Sequence, residues 1–547
     1  MNGLRRRWLK PEVAHDVIAA LLLMAVVAIL FAFGAPTDDA FSWPDAPRHA
    51  LNGAFVLDLL RDHPIHDPTS YAYNYYARYP ALTILFYPPL FYVVLAVFYG
   101  VLGVSQQSAL CAEFACYIAL AFGTYRLARF WLTPVAACGA AILLAASPEV
   151  AYWGRQVMLE IPAFALVAWS AAFFMHYLRG AKVAHLYVSG FLFVLAVYTK
   201  TTSAFMAPVY LIALIQYRGL APFREWRIVA AGFLSVLMLA PLAALTLKYG
   251  QQNMHSIAGI PESPASRLSL AGWLWYARQL PSQMGYVALA AALLGIGIVI
   301  AKRGHPRSLS LLFWWFVIGY IFFSAIALKE ARHDIFLLLP LSIIAIFGIS
   351  RLLGRSPPLE IAAIALVTVS TLVLTLVAHP VQYVSGYDPV ADYVAGAAPP
   401  NSNIVFSGYR DGAFIFAMRA REKRRDISIV RADKLLLNIA IRRERFVEDK
   451  NLNAHEIGHI LDTLGIRYVV AQSGFWTDLP SMNQLELLLN GPHFRRLRRF
   501  PMHANYHAQE KELVVYQNLD KVASGRIRIQ INVPTIGRAI NGVVGSP

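Results

Sequence analysis

Cysteine is scarce in this sequence. Only three cysteines occur among 547 residues, and Cys111, Cys116 and Cys138 each lie inside an apolar run. So few thiols exclude a disulfide framework, and their surroundings argue against a paired thiol metal site. We expect all three to be small residues of a hydrophobic core.

Charged residues are also few. They make up 15% of the chain, whereas 57% of the residues are hydrophobic and 13% are aromatic, and the mean hydropathy is +0.49. This composition leaves too little polar surface to cover a soluble globule of this length. The sequence therefore predicts a membrane protein.

The N-terminus shows no cleavable signal peptide. Its first apolar run, residues 17–33, follows a basic segment but leads into Pro36, Asp38 and Asp39 without a small-x-small cleavage site. This run is predicted to be the first membrane span.

Apolar stretches close to the roughly 20 residues that a bilayer core requires recur along the first 380 residues. Residues 84–104, rich in proline and aromatic side chains, suit an interfacial helix that lies along the membrane surface. The fold class predicted here is a polytopic α-helical membrane protein with about 11 spans plus interfacial helices. The spans lie near residues 17–33, 107–128, 134–148, 160–178, 186–217 (two short spans), 227–247, 284–301, 309–328, 334–353 and 359–379.

Basic loops provide a test of this count, because short cytoplasmic loops carry an excess of Lys and Arg. Eleven spans place every short basic cluster on one side, from residues 5–10 to residues 351–355. A span at 84–104 would scatter these clusters over both faces. We therefore predict an extracytoplasmic C-terminus in a bacterial inner (plasma) membrane protein.

From about residue 381 the composition becomes that of a soluble domain. Strand-like runs at 403–407, 427–430, 467–471 and 513–516 alternate with helical stretches such as 433–441 and 454–464. We predict a transmembrane domain at 1–380, with a first outer loop at about 35–106, and a small periplasmic α/β domain at 381–547. The latter has basic runs at 421–425 and 495–499, which are expected to form a solvated face or to contact anionic head groups.

Three clusters of ionisable residues fall on the predicted outer face, where charges near the membrane tend to mark substrate paths. A fourth feature is the turn at Lys200, between the two short spans. The clusters are Ser42–His49, Tyr152–Pro162 and Lys329–His333.

These segments resemble the GT-C membrane glycosyltransferases, in the branch of protein O-mannosyltransferases, lipid A aminoarabinose transferase and rhizobial lipopolysaccharide galacturonosyltransferases. Five motifs occur in the order expected for that branch, over roughly residues 1–380. They are Trp43 to Arg48 (W-P-D-A-P-R, which looks like the W-x-P-D-x-x-R of the branch), Tyr87-Pro88-Pro89-Leu90, Glu160-Ile161-Pro162, Thr199-Lys200-Thr201, and Lys329 to Arg332 followed by Pro340.

Three positions depart from the pattern of the branch. The acid that often follows the catalytic Asp is Ala46 here, the lysine before Pro-Pro is Tyr87, and the second-loop Asp is Glu160. Loss of one acid weakens the inference of a carboxylate-bound divalent metal, since hard cations take several oxygen ligands. We expect no cofactor and no metal ligands.

The resemblance implies transfer of a sugar from a polyprenyl-phosphate donor to a hydroxyl of a glycolipid, a glycan or a protein, with no role for nucleic acid. Such a reaction needs a base for the acceptor and positive charge for the departing phosphate. Asp45 is the predicted base, and one base with direct displacement implies inversion. The predicted substrate-binding residues are Lys329 and Arg332 on the phosphate, together with Arg48, His49, Arg155, Glu160 and Lys200.

Each of these residues also has a purely structural interpretation. Asp45 could cap a helix at 46–60, and Glu160 could pair with Arg155. Lys329 and Arg332 could be snorkelling interfacial anchors. In addition, Lys200 could bind helix carbonyls, and His49 could be a packing residue.

One further motif favours a different chemistry. His455-Glu456-Ile457-Gly458-His459 matches the zinc motif H-E-x-x-H. The third ligand of the metzincin spacing is missing, because Asp462 and Gly465 stand where Gly and His are required. We therefore interpret the histidines as the solvated side of an amphipathic helix.

A transporter is the alternative function from another class. Transporters usually have two related halves and midplane binding sites, and the sequence shows no internal repeat. The charges gather at one membrane face, which favours an interfacial transferase.

Overall fold

The computed structural model describes residues 11–37, 39–84, 86–180, 182–258, 265–301, 309–439, 443, 446–523, 527–533 and 538–544. The helices are α1 Pro11–Gly34, α2 Ala46–Asp62, α3 Pro68–Arg78, α4 Leu90–Leu102, α5 Gln106–Ala128, α6 Pro134–Ala146, α7 Pro148–Trp153, α8 Glu160–Leu178, α9 Ala184–Thr199, α10 Met206–Arg218, α11 Trp226–Ala258, α12 Leu270–Trp273, α13 Trp275–Met284, α14 Tyr286–Ala301, α15 Ser310–Ala325, α16 Leu338–Leu353, α17 Pro357–Ala378, α18 Tyr387–Ala397, α19 Asp411–Ala420, α20 Ala432–Leu436, α21 Ala454–Thr463 and α22 Pro480–Leu489. The strands are β1 Val384–Ser385, β2 Asn403–Ser407, β3 Ser428–Arg431, β4 Leu437–Ile439, β5 Val447–Asp449, β6 Ile466–Ala471, β7 Phe494–Pro501, β8 His503–Ala504, β9 Glu512–Asn518, β10 Ile527–Val533 and β11 Arg538–Val544.

Each predicted span falls on a helix. Within the described residues, six helices are long and apolar enough to cross a membrane, or seven if α12–α13 and α14, bent by 119° at their junction, form one span. Four shorter apolar helices, α4, α6, α9 and α15, accompany them. A multi-pass helical architecture is therefore confirmed, while the count of eleven stays a prediction. The predicted interfacial helix is α4.

The chain divides into two compact units. The first comprises Met1–Ala35, Glu113–Pro241 and Glu262–Pro380. In it, α14 packs closely on α16 because two glycines face each other. A Cβ on Gly348 would lie 2.5 Å from the Cα of Gly295, so small residues allow the two backbones to approach.

The second unit comprises Pro36–Ala112, Leu242–Pro261 and Val381–Pro547. It contains a five-stranded sheet in the order β3-β2-β6-β9-β7. Strands β3, β2 and β6 are parallel, whereas β9 and β7 are antiparallel to their neighbours. The predicted C-terminal α/β architecture is thus confirmed. The second unit also contains residues 36–106 of the predicted first outer loop. The boundaries proposed at 1–380 and 381–547 stay predictions.

Local predictions in this unit succeed for the buried strands and for α21. The helix predicted at 433–441 is wrong in its second half, because the chain leaves α20 after Leu436 and forms β4, which pairs with β5; residues 440–441 lie outside the described residues. Strand β7 carries the basic run at 495–499, and its register shifts between Arg496 and Arg498. Its arginines are exposed at the end of the sheet.

The three cysteines lie in different environments. Cys138 is buried, Cys116 is half-buried and Cys111 is exposed. The core prediction therefore holds for Cys138 alone.

Candidate active site

A buried acid begins α8. Glu160 is its first residue, and the side chain is only 3% exposed. Lys200 follows the last residue of α9 in extended backbone, and its Nζ lies 2.6 Å from Glu160 Oε1. The Nε of Arg332 lies 3.7 Å from the same oxygen. Three of the five motifs of the sequence thus meet in the first unit.

Neighbouring groups complete this cluster, which we call the Glu160 cluster: Glu160, Lys200, Glu330, Arg332 and His333. Arg332 Nε donates to Glu330 Oε2 at 2.5 Å, and its guanidinium lies over the Trp153 ring at 5.6 Å. Burial, reinforced by Lys200 and Arg332, lowers the pKa of His333 to about 3. With His333 neutral, two cations and two carboxylates balance.

Burial also lowers the pKa of Lys200, an effect that Glu160 opposes. The pairing of Lys200 with Glu160 answers two alternatives raised by the sequence. Lys200 binds a carboxylate, whereas helix carbonyls had been considered. Glu160 forms its ion pairs with Lys200 and Arg332, so the suggested pairing of Glu160 with Arg155 is wrong.

The guanidinium of Arg155 donates hydrogen bonds to main-chain carbonyls. Its Nε donates to Ala151 O at 2.8 Å, and its Nη2 donates to His379 O at 2.9 Å. The side chain is fully buried. A substrate contact by Arg155 stays a prediction.

Lys329 is buried, and it directly precedes Glu330 of the Glu160 cluster in the sequence. Its Nζ donates to Ser324 O at 2.7 Å and to Ile326 O at 3.1 Å, at the end of α15. Cations are favourable at helix C-termini. Lys329 is 4% and Arg332 8% exposed, so neither is the solvent-reaching anchor considered as an alternative.

Two acids near this region were missed by the sequence analysis, the half-buried Glu149 and the fully buried Asp334. Trp153 Nε1 donates to Glu149 Oε1 at 2.7 Å, and Gln283 Nε2 donates to Asp334 Oδ1 at 2.6 Å. Burial raises the pKa of Glu149. Their positions beside predicted clusters were the available signal. Among the residues that the structure describes, no group of three or more His, Cys, Asp or Glu side chains is arranged to hold a metal ion.

Asp45 and its neighbours belong to the second unit. Asp45 occupies the N-cap position of α2, but within the described part of the chain its carboxylate makes no capping hydrogen bond. The hydroxyl of Tyr87 donates to Asp45 Oδ2 at 3.4 Å. Asp45 therefore starts the helix by position, without the bond that a capping role requires.

His49 is packed between tyrosines. Its Nδ1 lies 3.0 Å from the hydroxyl of Tyr92, and its ring meets that of Tyr87 edge to face at 4.9 Å. The residue is 1% exposed. These contacts favour the packing interpretation, and a substrate contact stays a prediction. Arg48 is bound to Asp411, its Nη2 lying 3.0 Å from both carboxylate oxygens.

The zinc-like motif, residues 455–459, lies on helix α21. His455 and His459 are exposed on α21. Glu456 forms a capping box, in which its carboxylate accepts from Asn453 N and Asn453 Oδ1 accepts from Glu456 N, both at 2.9 Å. The glutamate that would serve as base in a zinc protease thus closes the first turn of a helix.

The two basic runs differ from each other. Arginines 495, 496, 498 and 499 are exposed, as expected for a solvated face. The other run is largely paired: Arg421 binds Asp388 and Asp392, and Arg425 binds Asp62. A solvated face is therefore the wrong description of 421–425.

Comparisons with known proteins agree with this architecture. The profile of the dolichyl-phosphate-mannose-protein mannosyltransferase family matches residues 87–245. ArnT from Cupriavidus metallidurans bound to undecaprenyl phosphate superimposes with a TM-score of 0.61 at 15% identity, covering 94% of this chain and 100% of ArnT. This chain has the GT-C fold.

Two further structures extend the GT-C comparison. ArnT from the same organism in the apo state gives a TM-score of 0.58 at 15% identity, covering 93% of this chain and 99% of ArnT. The archaeal oligosaccharyltransferase AglB from Archaeoglobus fulgidus, in complex with an inhibitory peptide and a dolichol-phosphate, gives 0.52 at 12% identity, covering 84% of this chain and 69% of AglB. A comparison with curated sequences found no match. The fold that the resemblance in the sequence implied is therefore confirmed.

Proposed function

We propose that this chain is an inverting glycosyltransferase that moves a sugar from a polyprenyl-phosphate donor to a hydroxyl of a glycolipid, a glycan or a protein. The observation that carries the proposal is the Glu160 cluster, in which two largely buried cations share one acid within a GT-C fold. Buried cations are costly unless a function or a partner anion requires them.

The Glu160 cluster suits a phosphate because its cations are complementary. The Lys200 ammonium is a point charge, and the Arg332 guanidinium is a planar fork that matches two phosphate oxygens. Glu160 keeps both near one point at 2.6 and 3.7 Å. An arriving phosphate would share these cations, and Lys329 would add a third charge.

The proposed reaction is a direct displacement at the anomeric carbon. Asp45 accepts the proton of the acceptor hydroxyl as its oxygen bonds to that carbon. The bond from the carbon to the phosphate oxygen breaks, and the polyprenyl phosphate leaves with the electron pair. Positively charged side chains beside the departing phosphate stabilise the transition state, where negative charge builds up on that oxygen.

The proposed setting is the outer face of a bacterial inner membrane, with residues 381–547 in the periplasm. A reporter that is active only outside the cytoplasm should be active when fused after residue 381 and inactive when fused after Arg303. The opposite pattern would contradict the eleven-span topology.

The deciding experiment is transfer from synthetic polyprenyl-phosphate sugars in liposomes, with released polyprenyl phosphate as the readout. A panel of sugars identifies the donor, and mass spectrometry of envelope glycolipids in a deletion strain identifies the acceptor. No transfer from any sugar, together with movement of a solute across the liposome membrane, would instead support the transporter alternative.

A further inference from the structure

We propose that Arg410 and Asp411 are positioning residues that hold the segment bearing Asp45 from both sides. The inference rests on the proposed function, in which Asp45 is the base. It assigns to the start of α19 a role in the reaction that the motifs of the sequence do not contain.

The first contact lies after Asp45. Arg48, three residues further on, donates through Nη2 to both oxygens of Asp411 at 3.0 Å. Side-chain exposure is 22% for Arg48 and 14% for Asp411, so solvent only partly screens the pair. The pair fixes the first turn of α2, which starts directly after Asp45.

The second contact lies before Asp45. Arg410 Nη1 donates to the main-chain oxygen of Ser42 at 2.7 Å. Arg410 is itself held by Glu510, at 2.7 Å, and by the hydroxyl of Tyr506. Two consecutive residues at the β2–α19 connection therefore hold positions three residues before and three residues after Asp45.

Asp411 is fixed from its other side as well. Arg431 Nη1 lies 2.9 Å from Asp411 Oδ2, and Arg431 Nη2 lies 2.5 Å from Asp433. Burial would raise the pKa of Asp411, but Arg431 and Arg48 lower it overall, so the carboxylate stays ionised. In addition, a Cβ on Gly412 would lie 3.2 Å from Pro47 Cγ, which shows how closely the start of α19 packs on the start of α2.

Positioning matters for a general base because proton transfer requires heavy-atom distances of roughly 2.6–3.2 Å. A displacement of about 1 Å can cost on the order of 10²-fold in rate. The main-chain oxygen of Asp45 accepts from His49 N at 2.9 Å, which ties Asp45 to the first turn of α2. The contacts of Arg410 and Asp411 on either side hold that turn and the residues before it.

The same two helices provide a matched control. Asp58, further along α2, forms a fully buried ion pair with Arg419 of α19, and Arg419 Nε donates to Asp58 Oδ2 at 2.7 Å. This pair also joins α2 to α19, but it lies ten residues along the helix from Arg48, or about 15 Å. Its loss should lower stability without displacing Asp45.

The test measures kcat and the KM for the donor in the full-length protein, corrected for folded protein. Asp411→Asn should lower kcat about tenfold or more while leaving the KM within about twofold, whereas Asp58→Asn should lower the thermal unfolding temperature and keep kcat. Arg48→Lys, a milder change, should lower kcat by a few fold. In an Asp45→Asn background, Asp411→Asn should cause no further loss, because its effect passes through Asp45.

Two outcomes separate this proposal from the proposed function. If Asp45→Asn strongly lowers transfer but Asp411→Asn keeps kcat, or reduces the wild-type and the residual Asp45→Asn rates by the same factor, the positioning role is overturned and the base assignment stands. If Asp45→Asn transfers at the wild-type rate, the base assignment fails, and the positioning role fails with it.

Discussion

The Glu160 cluster and the start of α2 both contain an acid with cations nearby, but the two regions are built differently. In the cluster, Lys200 and Arg332 come from two separate inter-helix segments and meet at one oxygen of Glu160. At the start of α2, Arg48 is turned to Asp411, and the hydroxyl of Tyr87 lies 3.4 Å from Asp45. The first arrangement brings two cations to one acid in a charge-balanced cluster, where an arriving anion could share them, whereas the second fixes the backbone around one carboxylate.

The largest effect should come from the start of α2. Asp45→Asn should lower transfer by about 10²- to 10⁴-fold, because the general base is lost while size and hydrogen bonding are kept. The control is Asp67→Asn at the N-cap of α3, where Asp67 accepts from Ser70 N at 2.9 Å. Transfer by that variant should stay within about twofold. A stable Asp45→Asn protein with the wild-type rate would reduce Asp45 to a structural residue.

Within the Glu160 cluster, stability and transfer should separate. Lys200→Met leaves Glu160 buried without its closest cation and should destabilise the fold by about 3–5 kcal/mol and lower transfer about 10²-fold. Adding Glu160→Gln should restore much of the thermal stability but not transfer. If the double variant recovers both, the pair is structural and the phosphate must bind elsewhere.

His333 should make stability depend on pH. Its pKa is about 3 when folded and about 6.5 when unfolded. Below about pH 6.5 the unfolded chain binds a proton that the folded chain does not, so stability is lost as pH falls towards 3, by at most about 1.4 kcal/mol per pH unit. His333→Gln should make the free energy of unfolding depend less on pH between 4 and 6.5. The control His507→Gln, at an exposed histidine, should leave that dependence unchanged. An unchanged slope in His333→Gln would contradict this prediction.

The smallest effect should come from the zinc-like motif. Replacing His455 and His459 together by Ala should leave transfer within a few fold, because both side chains are exposed and Glu456 is engaged in the capping box. Metal analysis of the purified protein provides the check. Stoichiometric zinc that disappears with activity in the double variant would give the motif a catalytic role.

Features that depend on local sequence patterns could be predicted from the sequence alone. Strand β2 was predicted with its final bounds, since a buried parallel strand is a continuous apolar run. The positions of Glu160, Lys200 and Arg332 on one face followed from the alternation of spans and loops. Their contacts within the cluster then follow because each residue lies at or near the end of a helix.

Long-range partners could not be predicted in the same way. Asp411 lies 363 residues from Arg48, and no periodicity connects an arginine in an early loop with an acid after a distant strand. Glu149 and Asp334 were missed for a related reason: single acids carry no spacing signal, and only burial distinguishes them from solvated ones. The error after Leu436 reflects apolar residues that suit either a helix or a short strand.

Strand β7 also bears on how the protein behaves at high concentration. It is the last strand of its sheet, and an outer strand offers unpaired backbone groups to any other chain. Four exposed arginines and an irregularity between Arg496 and Arg498 interrupt that side. Like charges repel an identical strand, and the irregularity spoils the register that such pairing needs. We therefore expect that replacing these arginines with threonine would allow β7 strands of different molecules to pair and would promote aggregation.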